Sequence, residues 1–419
     1  MIEVVPTLRE TIATVSEQIT IDGLTLPVQR PTDVASLGEM VRSAKAIYPL
    51  GGGTRLGIGW SPTLPGVAID LRALDRVIDY PARDMTITVQ AGLTIARLQT
   101  LLASEKQRLP IDVPAADQAT LGGSIASNIS GPRRYGAGTF RDYVIGISTV
   151  GADGVETKAG GRVVKNVAGY DLCKLHTGAL GTLGLITQVT LKVRPMPELQ
   201  ALVRLGCEDA ALETLLDTLH NSRTRPIALE LLDREAASSL GLETPSWTVL
   251  IGFEDCEPAV EWQVQQVLAE LKAIDVVGIN VLAGEAARPL WHGLIEALRV
   301  PQPLLTFKAS VRPSQLSRFA LSLRQPGLRL HIQAGDGIVR GHLHSQLTEA
   351  EALALVNRVA DFAVEAGGQL VIEQAPADWK PRLPVWGRQR GEWALMQRVK
   401  AALDPQEKFN PGRMFPLMG

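Results

Sequence analysis

The sequence predicts an α+β protein with more than one domain. Three observations carry this. The chain has 419 residues, whereas single hydrophobic cores stop growing near ~250–300. Helical and strand patterns alternate up to residue 193, where Arg194-Pro195-Met196-Pro197 interrupts them; paired prolines continue neither a helix nor a central strand. Beyond them the pattern reads strand, helix, strand, strand, helix, strand, which is the ferredoxin-like order.

The elements follow in sequence. An amphipathic helix is expected over 33–46, with Thr32 as its cap. A short strand, 46–50, runs into Gly51-Gly52-Gly53-Thr54-Arg55-Leu56-Gly57, and 67–70 is the next strand. Strands at 77–80 and 85–90 flank the turn Pro81-Ala82-Arg83-Asp84, and Thr94 caps a helix to about Ser104. A hairpin is expected across Gly151-Ala152-Asp153-Gly154, and 184–193 is β-rich. In the second part, strands at 200–205, 226–232, 247–253 and 275–282 alternate with helices at 208–220 and 257–271. Strands at 304–310, 328–333 and 337–343 follow, then a helix at 348–366 capped by Thr348 with Glu349 and Glu351 in its first turn. A return segment starts at 371, and the last helix is 392–403. No internal repeat is evident.

Composition narrows the function. Charged residues are 21% and the formal net charge is -2, so a general basic footprint for nucleic acid is missing. The cysteines Cys173, Cys207 and Cys256 form no CxxC, which argues against a disulfide framework, a structural zinc or an iron–sulfur cluster held by this chain alone. The start, MIEVVPTLRETIATVSEQ, has no apolar signal region. No run of about 18 apolar residues suggests a membrane span.

Three small-residue segments point to a ligand. Gly51-Gly52-Gly53-Thr54 directly after a strand suits a nest of backbone N–H groups for a pyrophosphate, with a plain glycine turn as the alternative. The nicotinamide fingerprint needs a helix next, which Trp60-Ser61-Pro62-Thr63-Leu64-Pro65 cannot open; Asp70, at a distance suited to a ribose contact, keeps that reading alive only weakly. Pro114 to Asn128 puts Gly122-Gly123 at a helix start, followed by Ser124, Ala126 and Ser127. Arg133 and Arg134 are either ligand contacts or a solvated loop. Glycines 178, 181 and 184 recur before a strand, as backbone lying against a ligand or a second strand does.

Together these segments resemble the FAD-binding domain of the vanillyl-alcohol oxidase (PCMH-type) flavoprotein family. The likeness runs through GGGT at 51–54, VQAG at 89–92, PAADQATLGGSIASN at 114–128, RYGAGTFRDYVIGISTVGADG at 134–154, GGRVVKNVAGYDLCKLHTGALGTLGLITQVTLKVRP at 160–195 and DPQEKFNPGRM at 404–414. It implies a PCMH-type FAD domain of two α/β subdomains over 1–196, a ferredoxin-like α+β cap over 197–370, and a segment 371–419 returning to the FAD domain. It implies FAD contacts at Gly51, Gly52, Gly53, Thr54, Arg55 and Leu56. Further contacts are implied at Pro114, Thr120, Leu121, Gly122, Gly123, Ser127 and Asn128, and at Gly131, Tyr135, Gly136, Gly184, Ile186 and Asn410. Within the family, KNVAGYDL at 165–172, IEQAPADWK at 372–380 and VWG at 385–387 resemble the E-type subunit of glycolate oxidase complexes. The implied partners are a catalytic flavoprotein D-type subunit and an iron–sulfur F-type subunit, in a complex that oxidises glycolate to glyoxylate in the cytoplasm, docked at a membrane through a partner.

Two departures shape the expected role. Members that attach flavin covalently do so through a histidine behind the first glycine loop; Arg55-Leu56-Gly57 stands here, so non-covalent FAD is expected. Relatives acting on 2-hydroxy acids carry a motif like HxGDGNxH for histidines and a metal, and an EHGxG stretch. Here Gln333 and Arg340 replace both histidines of the first, and the second reads Glu373-Gln374-Ala375-Pro376. Hydride removal from a 2-hydroxy acid needs an acceptor for the hydroxyl proton, usually histidine. His331, His342 and His344 are nearby, and strand alternation puts His342 and His344 on one face, although ordinary strand positions are the favoured reading. No catalytic residue and no metal site is assigned. The expected role is an accessory or electron-relaying FAD subunit; the alternatives are a stand-alone FAD-dependent 2-hydroxyacid dehydrogenase of the D-lactate type and a non-catalytic scaffold.

Overall fold

The computed structural model describes residues 17–161, 170–243, 245–300, 303–344 and 347–416. The opening segment 1–16 and the 165–169 part of the KNVAGYDL motif lie outside the described residues.

The first part forms two main sheets. One has four strands in the order Gln18–Ile21, Leu24–Gln29, Val67–Asp70, Ile47–Leu50. Its last two strands run parallel and are buried almost throughout, which is why their sequences are continuous apolar runs. The other is antiparallel, in the order Val77–Asp79, Thr86–Gln90, Leu185–Lys192, Val144–Val150, Glu156–Gly160. The expected hairpin forms, with Val150 opposite Glu156. The first helix spans Val34–Ser43 and is capped by Asp33 rather than Thr32. The Asp33 carboxylate accepts from the Ser36 N–H at 2.8 Å, and Ser36 Oγ accepts from the Asp33 N–H at 3.2 Å, so two free donors are satisfied reciprocally.

The second part forms one eight-stranded antiparallel sheet. Its order is Val277–Ala283, Leu199–Cys207, Trp247–Asp255, Ala228–Asp233, Leu328–Gln333, Ile338–Leu343, Leu305–Ser310, Gln369–Gln374. The first four strands are the expected ferredoxin-like unit. The other four, with helices Leu316–Leu323 and Glu349–Glu365, repeat the same strand–helix order in mirror sequence across the sheet. The sequence shows no repeat because backbone order is duplicated, not side chains. The helix faces explain the core: Asp209–His220 buries Leu212, Leu215, Leu216 and Leu219, spaced for one helical stripe. Glu349–Glu365 is fixed by a Thr348–Glu351 capping box and buries Leu355, Val356 and Val359. The return segment expected from residue 371 starts inside the last strand, because Val371 and Ile372 pair with Lys308 and Phe307. The chain does come back beyond it: Phe409 packs in the core of Leu37, Val41 and Ile47, and the Ile47 N–H donates to the Lys408 carbonyl at 2.7 Å.

One buried ion cluster docks the second part on the first. Arg133 Nη1 meets Asp112 at 2.6 Å and its Nε meets Glu254 at 2.6 Å; Arg108 reaches the other Glu254 oxygen at 2.6 Å. The Trp291 ring lies under the Arg133 guanidinium at 4.1 Å. Arg133 is therefore neither a ligand contact nor a solvated loop residue. Burial favours the uncharged Glu254, but Arg133 and Arg108 outweigh it and hold the carboxyl below its ordinary range. Arg133→Ala, which strands two carboxylates away from their main partner, is expected to cost about 3–5 kcal/mol in urea unfolding at neutral pH. A depressed carboxyl stabilises above its unfolded pKa and loses that as pH falls through the folded value, so the gap between wild type and variant is expected to narrow below about pH 4.

Candidate active site

The three small-residue segments converge. The buried strand Ile47–Leu50 delivers Gly51–Thr54 against the turn before Leu121–Ser127. A Cβ on Gly51 would sit 2.2 Å from Thr120 Oγ1, and one on Gly52 would sit 1.8 Å from the Gln118 carbonyl. Glycine is required there so that the first two segments can touch. Gly53 has φ +69, a conformation that also favours glycine. The third segment joins through Gly181, where a Cβ would meet Pro49 at 2.9 Å. Asn410 ties the tail in, donating from Nδ2 to the Leu180 carbonyl at 2.7 Å and from its backbone N–H to Ile47 at 2.8 Å. No helix follows Gly57. Instead Arg413 Nη1 donates to the carbonyls of Leu56 and Ile58 at 3.0 Å each, and Lys380 Nζ donates to those of Gly57 and Gly59 at 2.7 and 3.0 Å.

Between these segments lies a cleft of about 1110 Å³, the open solvent at its mouth included. Of the residues expected at a cofactor, Gly51, Gly52, Gly53, Thr54, Arg55 and Leu56 line it. So do Pro114, Thr120, Gly122, Gly123, Ser127, Gly184, Ile186 and Asn410. Five expected residues do not. Leu121 is fully buried in the hydrophobic core. Asn128 is the left-handed cap that ends its helix. Gly131 packs on Asp112 and its carbonyl accepts from Gln333 Nε2. Gly136 donates to the Ile227 carbonyl at 3.0 Å, and the Tyr135 ring covers Gly335. The last three hold the two parts together. Asp70 also stays away: it is fully buried, caps the turn Leu71–Ala73 and pairs with Arg30 and Arg72 at 2.8 and 2.7 Å. Sequence reasoning missed Arg299, which lines the cleft from the second part, on an exposed connection without any motif.

The cleft opens into a second chamber of about 1070 Å³, sharing Gly53, Thr54, Arg55, Leu56 and Arg299 with it. The eight-stranded sheet contributes Thr306, His342 and Glu373 to the chamber. Glu373 Oε1 pairs with Arg55 Nη2 at 2.8 Å, and Arg340 Nε stands 3.6 Å from Oε2. Burial alone would raise the Glu373 carboxyl, but Arg55, Arg340 and Lys308 pull it down to about 2. Burial in turn lowers the Lys308 ammonium to about 8. His342 is 1% exposed, and its Nδ1 lies 3.1 Å from Thr306 Oγ1. Burial lowers it to about 3, so the imidazole is neutral at physiological pH, and its Nε2 has no partner. His331 faces Glu230 instead, at 2.7 Å. The strand ends at Leu343, so His344 lies beyond it and is exposed. The positions that replace the motif histidines bind each other: Arg340 Nη1 donates to Gln333 Oε1 at 2.9 Å.

The sequence matches the family description "FAD binding domain" over residues 26–160 and "FAD linked oxidases, C-terminal domain" over 331–414. Together the two matches support the FAD-binding PCMH-type oxidase family. The chain is an FAD-dependent oxidoreductase, and FAD is its cofactor. Glycolate oxidase subunit GlcD of Bacillus subtilis (strain 168) is 29% identical over 394 residues, covering 88% of this chain and 83% of that one. Glycolate oxidase subunit GlcE of Escherichia coli (strain K12) is 27% identical over 352 residues, covering 84% and 87%. A D-lactate dehydrogenase of Archaeoglobus fulgidus is 26% identical over 415 residues, covering 92% and 90%. A solved structure of alkyldihydroxyacetonephosphate synthase shares the fold, with TM-score 0.69 and 17% identity over 92% of this chain and 76% of that one. The cleft fits the flavin cofactor. Its walls are glycine and small residues, and successive backbone N–H groups of Gly51–Thr54 are available to a pyrophosphate. No described helix is long and apolar enough to cross a membrane.

Gly52→Ala drives a methyl into the Gln118 carbonyl and pushes the first two segments apart. It is expected to lower the flavin-to-protein ratio of the purified chain by about tenfold or more, with the circular dichroism of the fold retained. Gly161→Ala, where a Cβ meets nothing within 4 Å, is expected to keep the wild-type ratio.

Proposed function

We propose that this chain is a non-covalent FAD subunit of a glycolate-oxidising complex, converting glycolate to glyoxylate beside a second flavoprotein subunit and an iron–sulfur subunit. The observation that carries the reading is the second chamber: it adjoins the cofactor cleft and contains a buried, neutral imidazole whose Nε2 is free. Relatives named as glycolate oxidase subunits and D-lactate dehydrogenase support a small 2-hydroxy acid as substrate and a multi-subunit setting. By the same likeness, GlcE of Escherichia coli supports the E-type place in that assembly.

Bound FAD supplies the acceptor for the hydride of the α-carbon. The chain's own residues do the rest. His342 Nε2 receives the hydroxyl proton, while Thr306 Oγ1 at 3.1 Å from Nδ1 fixes the ring. Arg55 and Arg340 keep Glu373 ionised, so it does not compete as a proton donor.

A second reading has an observation of its own. Gln333 and Arg340 occupy the motif's histidine positions and are bonded to each other, which favours a subunit that relays electrons from a partner's site. The two readings separate in one experiment. When the purified chain is mixed anaerobically with glycolate, oxidation at its own site is expected to bleach the flavin absorbance without any partner. Bleaching only after the partner flavoprotein is added supports the relay. No bleaching in the assembled complex refutes both.

A further inference from the structure

The second chamber holds more cation than its carboxylates neutralise. Among the described residues, two acids line it, Asp22 and Glu373. Asp22 is taken by Lys380 at 2.6 Å, and Glu373 by Arg55 at 2.8 Å with Arg340 behind it. Arg299 is left over. It lies just beyond the helix Arg288–Glu296, lines both the chamber and the cofactor cleft, and its guanidinium has no hydrogen-bond or ion-pair partner among the described residues. An unpaired guanidinium beside a polar cavity matches a planar carboxylate, which can accept two parallel N–H bonds.

Arg55 Nε, Glu373 Oε2 and His342 Nε2 among the chamber's lining residues also have no hydrogen-bond partner; the first two belong to the Arg55–Glu373 ion pair, which leaves His342 Nε2, in a side chain 1% exposed. A buried ring nitrogen without a partner is costly, and a ligand that reaches it removes that cost. An alcohol suits it in either tautomer, because a hydroxyl both donates and accepts. Carboxylate and alcohol on one small molecule would satisfy both groups.

We infer that Arg299 and His342 together select the substrate, Arg299 taking the carboxylate and His342 Nε2 the neighbouring hydroxyl. The inference rests on the 2-hydroxyacid reading above and adds the residues that discriminate. Arg299 sets affinity for any small carboxylate. His342 sets the preference for a hydroxylated one.

The test is calorimetric titration of the FAD-loaded full chain with glycolate and, separately, with acetate, which lacks only the hydroxyl. The wild type is expected to bind glycolate about tenfold more tightly than acetate, the effect of one satisfied hydrogen bond. Arg299→Gln is expected to weaken both acids by about tenfold or more, as loss of a charge-assisted bond does, and to leave their ratio unchanged. His342→Leu is expected to bring the ratio near one while acetate binding persists. Arg299 lies on an exposed connection, so its variant is informative even where His342→Leu fails to fold. Equal binding of the two acids by wild type, no binding of either, or unaltered binding by Arg299→Gln overturns the inference. Glycolate turnover by the assembled complex then separates the failures: turnover leaves the functional reading standing, and its absence removes both.

Discussion

A guanidinium held between two carboxylates is the contact on which the rest depends. Arg133 stands between Asp112 of the first part and Glu254 of the second, and all three side chains are buried. The two parts have separate hydrophobic cores, so neither core dictates their relative position. Desolvating such charges is unfavourable, and their attraction offsets it only when the geometry is right. The cluster therefore tolerates one docking arrangement. Gly136, Tyr135 and the Gln333–Gly131 bond lie on the same interface and agree with it. In that arrangement the large sheet faces the glycine cleft, and Glu373 can reach Arg55 across 318 positions of sequence.

The site is a consequence of that docking. Apart from Arg299, the cleft is lined by the first part and the tail; the chamber exists only where the sheet of the second part covers its end. Arg55 takes part in both, as a wall of the cleft and as the partner of Glu373. Removing histidines from the motif at 333–340 did not leave an apolar wall. It left Arg340 bonded to Gln333 and close to Glu373, so the chamber keeps a strong positive field around one ionised carboxylate. His342, two residues further along the strand, keeps a ring nitrogen available.

Much of this was legible in the sequence, and the pattern of what was not is physical. The glycine segments were legible because close backbone approach forbids side chains, and that requirement is written at single positions such as Gly51 and Gly52. The first ferredoxin-like unit was legible from alternation and turn residues. The strands and helices of the second were read one by one but not as a unit, because no residue pattern spells the mirrored strand order. Helix capping was misplaced by one residue because Thr32 and Asp33 are both suitable caps, and the choice was made by Ser36 answering Asp33. Arg133, Arg299 and Gly136 were misassigned or missed for a shared reason: a partner in the second part, Glu254 for Arg133 and Ile227 for Gly136, lies far away in sequence or, for Arg299, the cavity it lines exists only after docking. Local sequence spells the cradle but not what closes over it.

The most direct measurement is an experimental structure of the purified, yellow full chain. The account expects a dinucleotide threaded along Gly51–Thr54 and Thr120–Gly123, reaching Arg55 where the cleft meets the chamber, with Arg133 still between Asp112 and Glu254. A cleft filled by the protein's own side chains, or a flavin bound away from the chamber that His342 lines, would contradict it.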